Sequence, residues 1–303
     1  MDRPMSGATP APRLRTVEVD GGPMTVGEWG PEDGTTVLAV HGITASLAGW
    51  SLLAAALPEV RLVAPDLRGR GRSNALPGPY GLDRHAGDLE RLLDGLGLDR
   101  VAVVGHSMGA FVGVRLAGRV PDRVSALVLV DGGLALPPMP APAPGARPED
   151  VLGPAAQRLT MTFADRAAYH DFWRAHPAFA GAWGPAVEAY VDHDLEGEEP
   201  YLTPSTRVEA LATDIQQLAG GPAHEAGWTA LRERGTPVTF LRAPRGLMDE
   251  PGGLYPPDAA AGVADSVPQL RAVEVDDVNH YTVLLGERGA DAVATATRAV
   301  LDR

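Results

Sequence analysis

The sequence contains no cysteine. That excludes a disulfide framework, a thiolate nucleophile and any thiolate-held metal. Lysine is absent too, so all 26 basic residues are arginine, a bias that fits a GC-rich genome better than any function. No apolar run approaches the ~20 residues that cross a bilayer. The stretch from Met1 to Arg13 is rich in Pro, Ala and Gly and lacks the apolar core of a signal peptide. It reads as a frayed tail, and the expectation is a soluble, cytoplasmic protein. Basic residues are outnumbered 26 to 39, for a net charge of −13. An acidic chain without a basic patch argues against nucleic acid or an anionic membrane as partner.

Against these absences, the 303 residues are 45% apolar, enough to bury a full core as one large domain or one domain plus an insertion. The most informative stretch is Arg100 to Gly118, RVAVVGHSMGAFVGVRLAG. Its start is a short β-branched run, as in a buried parallel strand, and its end is apolar at helical spacing. Between them Gly105-His106-Ser107-Met108-Gly109 matches G-x-S-x-G. A strand–turn–helix context makes that pentapeptide a nucleophile elbow, with the serine held in a strained turn at the carboxyl edge of a sheet. Glycines two residues either side are needed because larger side chains would clash in so tight a turn.

Around this stretch the chain alternates strands and helices. Leu14 to Asp20 and Pro23 to Trp29 flank Asp20-Gly21-Gly22 as an edge hairpin. Buried strands are expected at Thr35 to Val40, Val60 to Ala64, Val124 to Val130, Pro237 to Arg242 and Leu270 to Val275. Helices are expected at Trp50 to Leu57, Leu82 to Leu96 and Gly289 to Leu301. Successive alternation implies a doubly wound parallel sheet with right-handed crossovers and a site beyond the carboxyl ends of its strands. The pattern breaks after Leu136, at a Pro- and Ala-rich loop running to Pro148. From Glu149 to about Arg234 helices and loops hold most of the aromatic residues. Asp192-His193-Asp194 has metal-compatible side chains, but consecutive positions point different ways, and a solvated loop is the better reading. The Arg-Gly run Arg68 to Arg72 lacks the aromatic interleaving of an RNA-binding segment.

With the elbow, the loop His41-Gly42-Ile43-Thr44 and the D-x-R-G-x-G-x-S run Asp66 to Ser73, the chain resembles the α/β-hydrolase superfamily. The likeness is to its cofactor-free serine hydrolases with a helical cap, esterase- or lactonase-like, over roughly Val37 to the C-terminus. It implies a doubly wound, mostly parallel eight-stranded sheet, with 1–13 as a disordered tail, 14–135 and 236–303 as the core and 136–235 as an inserted cap. It also implies roles. Ser107 is the nucleophile and His280, beyond the last strand, the general base. The backbone N–H groups of Ile43 and Met108 form an oxyanion hole, and His41 holds its loop. The triad acid is expected at Asp249, with Asp131 and Glu250 competing. Among the cap aromatics Trp183 and Tyr190 are the candidate substrate contacts, most of the others forming the cap's own core. Serine at the elbow argues against the dehalogenases and epoxide hydrolases of the fold, which need Asp there.

The expected reaction is hydrolysis of a small-molecule apolar ester or lactone through an acyl-enzyme, with no cofactor and no metal. A thioester or a carbon–carbon bond are alternative targets of the same residues, as is perhydrolysis. A member that binds a ligand without turning it over is a separate class. Self-association is left open.

Overall fold

The computed structural model describes residues 10–137 and 157–302. Most of the expected tail and of the Pro-rich loop therefore lies outside the described residues; Arg13 already belongs to the first strand. Eight strands form one sheet: β1 (Arg13–Val19), β2 (Gly22–Trp29), β3 (Thr36–Val40), β4 (Arg61–Pro65), β5 (Val101–His106), β6 (Val124–Val130), β9 (Val238–Arg242) and β10 (Leu270–Glu274). Their order is β1-β2-β4-β3-β5-β6-β9-β10. β1 and β2 form the expected hairpin, β2 meets β4 antiparallel, and every other pairing is parallel.

The central strands read as continuous apolar runs because both faces are covered, and the period-2 alternation sorts their side chains between two layers. Leu38, Val40, Val103, Leu127 and Leu129 point to one face, with helices α2 (Leu82–Gly95) and α3 (Met108–Arg119). Val37, Ala39, Val104, Val128 and Val130 point to the other, with α1 (Ser51–Ala56) and the C-terminal helix Glu287–Leu301. α2 shows why such a segment is helical: Leu82, Ala86, Leu89 and Leu93 recur at three- and four-residue spacing and are all buried.

Between β6 and β9 the chain leaves the sheet. It forms α4 (Arg166–Arg174), α5 (Pro185–His193), a two-residue antiparallel ladder of β7 (Leu195–Glu196) with β8 (Thr203–Pro204), α6 (Val208–Ile215) and α7 (Pro222–Arg234). Phe163, Tyr169, Trp173, Phe179, Tyr190, Val191 and Leu202 pack as a separate apolar cluster within this insertion. The last helix does not belong with it. α7 lies against α3, where a Cβ on Gly118 would come within 2.9 Å of Gly227 Cα, and its Trp228 and Leu231 enter the sheet's own core. The insertion expected to run to residue 235 thus ends near residue 221, because Gly227 allows α7 to dock as a sheet-covering helix.

Asp192-His193-Asp194 is the end of α5 rather than a solvated loop. Each side chain has its own partner: Asp192 meets His170, His193 meets Asp66, and buried Asp194 meets Arg158, Tyr169 and Ser205. Among the described residues no group of three or more His, Asp or Glu side chains is placed to hold a metal ion, and no helix is long and apolar enough to cross a membrane.

Candidate active site

Ser107 sits between β5 and α3 with φ 53° and ψ −123°, a left-handed conformation in which a non-glycine residue stores on the order of 1–3 kcal/mol. The neighbouring backbone holds it there: Ser107 N–H donates to Val130 O at 2.9 Å, and Ser107 O accepts from Ala110 N–H at 3.0 Å. The flanking glycines are required by space. A Cβ on Gly105 would lie 2.4 Å from Gly109 O, and one on Gly109 would lie 1.9 Å from Val40 O. Gly132, from the next strand's exit, makes a third such approach, its Cβ falling 2.2 Å from Ser107 O.

Ser107 caps the N-terminus of α3, where unpaired N–H groups and the helix dipole favour negative charge. Among the described residues, neither Met108 N–H nor Ile43 N–H has an acceptor. The Ile43 loop is fixed from behind by buried His41. Its Nε2 accepts from Leu67 N–H at 2.9 Å, so the proton lies on Nδ1, which donates to Gly42 O at 2.8 Å. Burial pushes this imidazole down to about 4, keeping it neutral.

His280, beyond β10, is buried and places Nδ1 2.7 Å from Asp131 Oδ2. Nδ1–H donates to that carboxylate, which leaves Nε2 as the free basic nitrogen. Asp131 is fully buried, and its other oxygen accepts from Ala243 N–H at 3.1 Å. The carboxylate against His280 is therefore Asp131. Asp249, the expected acid, is drawn elsewhere: its Oδ1 accepts from Arg245 Nε at 2.7 Å and Asn279 Nδ2 at 2.8 Å. Asn279 and Arg245 hold the Asp249 carboxyl below the usual range. Glu250 is exposed and accepts from Met248 N–H. Register explains the outcome. His106 pairs with Val130 across β5 and β6, so Ser107 and Asp131 each stand one residue past the same rung.

A residue that the sequence motif left unassigned, His106, supports His280. Its Nε2 donates to His280 O at 2.9 Å, and the two rings lie 4.8 Å apart. Burial, then the neighbouring His280, pushes His106 down to about 3, so it is a neutral prop rather than a second base.

Ser107 and His280 open on one cavity of about 260 Å³. Its walls include Leu136, Leu218 and Leu254, with Leu211 and Ile215 from α6 and Tyr190 from α5. Tyr190, a candidate substrate contact, lines this cavity, its phenol pushed well up by burial and so neutral. Trp183 does not. Its Nε1 donates to Glu188 at 2.7 Å and Arg174 stacks on its ring, which holds it in the insertion's outer surface. Tyr281 is a wall residue that composition alone did not single out.

A sequence model of the family described as alpha/beta hydrolase fold matches residues 35–286. This chain belongs to that family. Among curated relatives of this α/β hydrolase, it is 37% identical over 174 residues to the Lipase LipV of Mycobacterium tuberculosis, covering 56% of this chain and 61% of the relative. It is 41% identical over 122 residues to the Putative carbamate hydrolase RutD of Caulobacter segnis, covering 39% and 46%. The chain thus spans less than two thirds of either relative's length. In fold it matches an E-2-(acetamidomethylene)succinate hydrolase at TM-score 0.73 with 22% identity, over 96% of this chain and 99% of the other. It also matches a thioesterase domain from the curacin biosynthetic pathway at TM-score 0.72 with 21% identity, over 96% and 100%.

Proposed function

We propose that this α/β hydrolase is a serine hydrolase cleaving apolar carboxylic esters or lactones through an acyl-enzyme on Ser107. The observation that carries the reading is the His280–Asp131 pair facing the same cavity as a strained serine at a helix N-terminus. His280 Nε2 takes the Ser107 hydroxyl proton while Oγ attacks the ester carbonyl. Asp131 keeps the tautomer that leaves Nε2 free and stabilises the imidazolium. The tetrahedral oxyanion is bound by Ile43 and Met108 N–H, a donor pair of which each member is typically worth about 10²–10³ in rate. Collapse breaks the carbon–oxygen bond and returns the proton from His280 to the departing oxygen. Water then repeats the sequence in reverse and frees Ser107.

The cavity's leucine and isoleucine walls suit an uncharged acyl group, and the helices over it act as a cap that excludes water. The likeness to a lipase favours an ester over other acyl donors. Thioesters, which would form the same acyl-enzyme, are the second substrate class. The test is intact-protein mass spectrometry after exposure to a fluorophosphonate, beside Ser107→Ala and His280→Ala. A single adduct, lost in both variants, supports the reading. A folded wild type that takes none overturns it in favour of a ligand-binding protein.

A further inference from the structure

The D-x-R-G-x-G-x-S run contains a buried cation at a position the motif leaves free. Arg70 has no solvent exposure, and its guanidinium is divided among four parts of the molecule. Nε donates to Ile43 O at 3.0 Å, and Nη1 donates to Arg68 O at 2.9 Å within its own loop. Nη2 lies 2.5 Å from Asp214 Oδ2 on the cap helix α6 and reaches Met108 Sδ at 3.9 Å. Asp214 is completely buried as well, and its Oδ2 also lies 2.9 Å from His85 Nε2, which must carry the ring proton to donate there. The remaining contact, Arg70 Nη1 to that same His85 nitrogen at 3.3 Å, is then packing rather than a bond.

Among the described residues neither Ile43 N–H nor Met108 N–H has an acceptor, and in the reading above both face the developing oxyanion. One guanidinium touches both, and Arg70 itself does not line the cavity. Arg70 holds the peptide plane on the far side of the Ile43 Cα through the Ile43 carbonyl, and His41 Nδ1 holds the near plane, which carries the Ile43 N–H, through Gly42 O at 2.8 Å; the two anchors together set the direction of the residue. Asp214 in turn sets the fork of the guanidinium, since a planar cation with several simultaneous partners has one orientation. Asp214 stands on the same helix as the cavity walls Leu211 and Ile215. The cap that shapes the acyl pocket is therefore joined to the oxyanion loop through a buried ion pair.

We propose that Arg70 is a positioning residue that couples cap helix α6 to the oxyanion hole, holding the Ile43 donor in its productive direction through the Asp214 pair. This rests on the serine-hydrolase reading above. Arg70 touches no reacting atom and acts through Ile43 and Met108.

The test compares wild type with Asp214→Asn, Arg70→Lys and the double variant Arg70→Met/Asp214→Leu, which removes both charges together and strands neither. Fluorophosphonate adduct at completion counts competent sites, so kcat on p-nitrophenyl butyrate is expressed per site. In the double variant kcat per site should fall about ten- to a hundredfold, less than the 10²–10³ for an oxyanion donor lost outright, with KM within threefold. The fluorophosphonate inactivation rate should fall in parallel, because phosphonylation builds the same oxyanion. Arg70→Lys keeps the charge but not the fork and should not rescue. Asp214→Asn keeps a hydrogen-bonding partner and should lose only a few-fold. A merely structural Arg70 would lower the melting temperature and the number of competent sites and leave kcat per site unchanged; that result in any folded variant overturns the proposal. A wild type that takes no adduct fails earlier and removes the hydrolase reading itself.

Discussion

Replacing Asp131 by Asn and, separately, Asp249 by Asn distinguishes the two candidate acids. Asp131 is buried and bonded to His280 Nδ1 at 2.7 Å. When His280 gains a proton, imidazolium and carboxylate centres about 4 Å apart attract by about 4 kcal/mol at an effective dielectric constant of ~20. At about 1.4 kcal/mol per decade that is about three decades of kcat. The amide introduced by Asp131→Asn would also present N–H to Nδ1 and favour the wrong tautomer, for a total loss of about 10³–10⁴. Asp249 is more than a third exposed and pairs with Arg245, an interaction worth about 0–1 kcal/mol at a surface. Its φ of 63° suits Asn, so Asp249→Asn should fold normally and keep kcat within about threefold. Steady-state hydrolysis of p-nitrophenyl butyrate, normalised by fluorophosphonate titration, reads both variants. A dead Asp249→Asn beside an active Asp131→Asn would refute the assignment.

Two further outcomes are expected. His41, His106 and His224 are pushed down by burial to about 4, 3 and 4, against about 6.5 in an unfolded chain. The unfolded state thus takes up more protons as pH falls, and stability present above pH ~6.5 is lost down to the folded values. At about 1.4 kcal/mol per proton per pH unit, the three together remove about 4 kcal/mol between pH 7 and 5.5. Urea unfolding at the two pH values checks this, and an unchanged midpoint contradicts it. In the cavity, Leu211→Trp should reduce kcat/KM for octanoate esters at least tenfold while sparing acetate esters, as read on a chain-length series; equal losses on both would move the acyl pocket elsewhere.

The parts of the fold legible in the sequence are those whose causes are local. β5, the G-x-S-x-G turn and the start of α3 follow from an apolar run and glycines whose spacing is dictated by carbonyls at 1.9 and 2.4 Å from absent Cβ atoms. His280 was legible because it follows the last strand. The acid was not, because three carboxylates stand on loops after neighbouring strands and the choice depends on which loop turns inward. Two signals pointed away from Asp249: Arg245 four residues earlier, which captures it, and the Asp131-Gly132 step, where only glycine lets the strand exit pass Ser107. α7 was placed in the insertion for a similar reason. Its docking on α3 depends on Gly118 meeting Gly227, more than a hundred residues apart, and no local pattern encodes that contact.

The run Asp66 to Ser73 shows how burial decides between readings of one charged segment. Three arginines within five residues could bind phosphate if exposed. Arg68 instead is buried in a two-pronged pair with Asp88, at 2.8 Å on each side, and Arg70 is buried against Asp214. A buried charge that left its partner for a solvent phosphate would strand a carboxylate at a cost of about 3–5 kcal/mol. Only Arg72 faces solvent, and one cation on a chain of net charge −13 makes no anion-binding surface. Asp66 completes the loop by accepting from Leu47 N–H, Arg72 N–H and His193 Nε2, the last a residue of α5 in the insertion. The segment's charge is therefore directed inward, tying the edge hairpin, the Ile43 loop and the inserted helices into one unit. That is why substitutions at Asp214, far along the chain from Ser107, are expected to be read out in the chemistry of the serine.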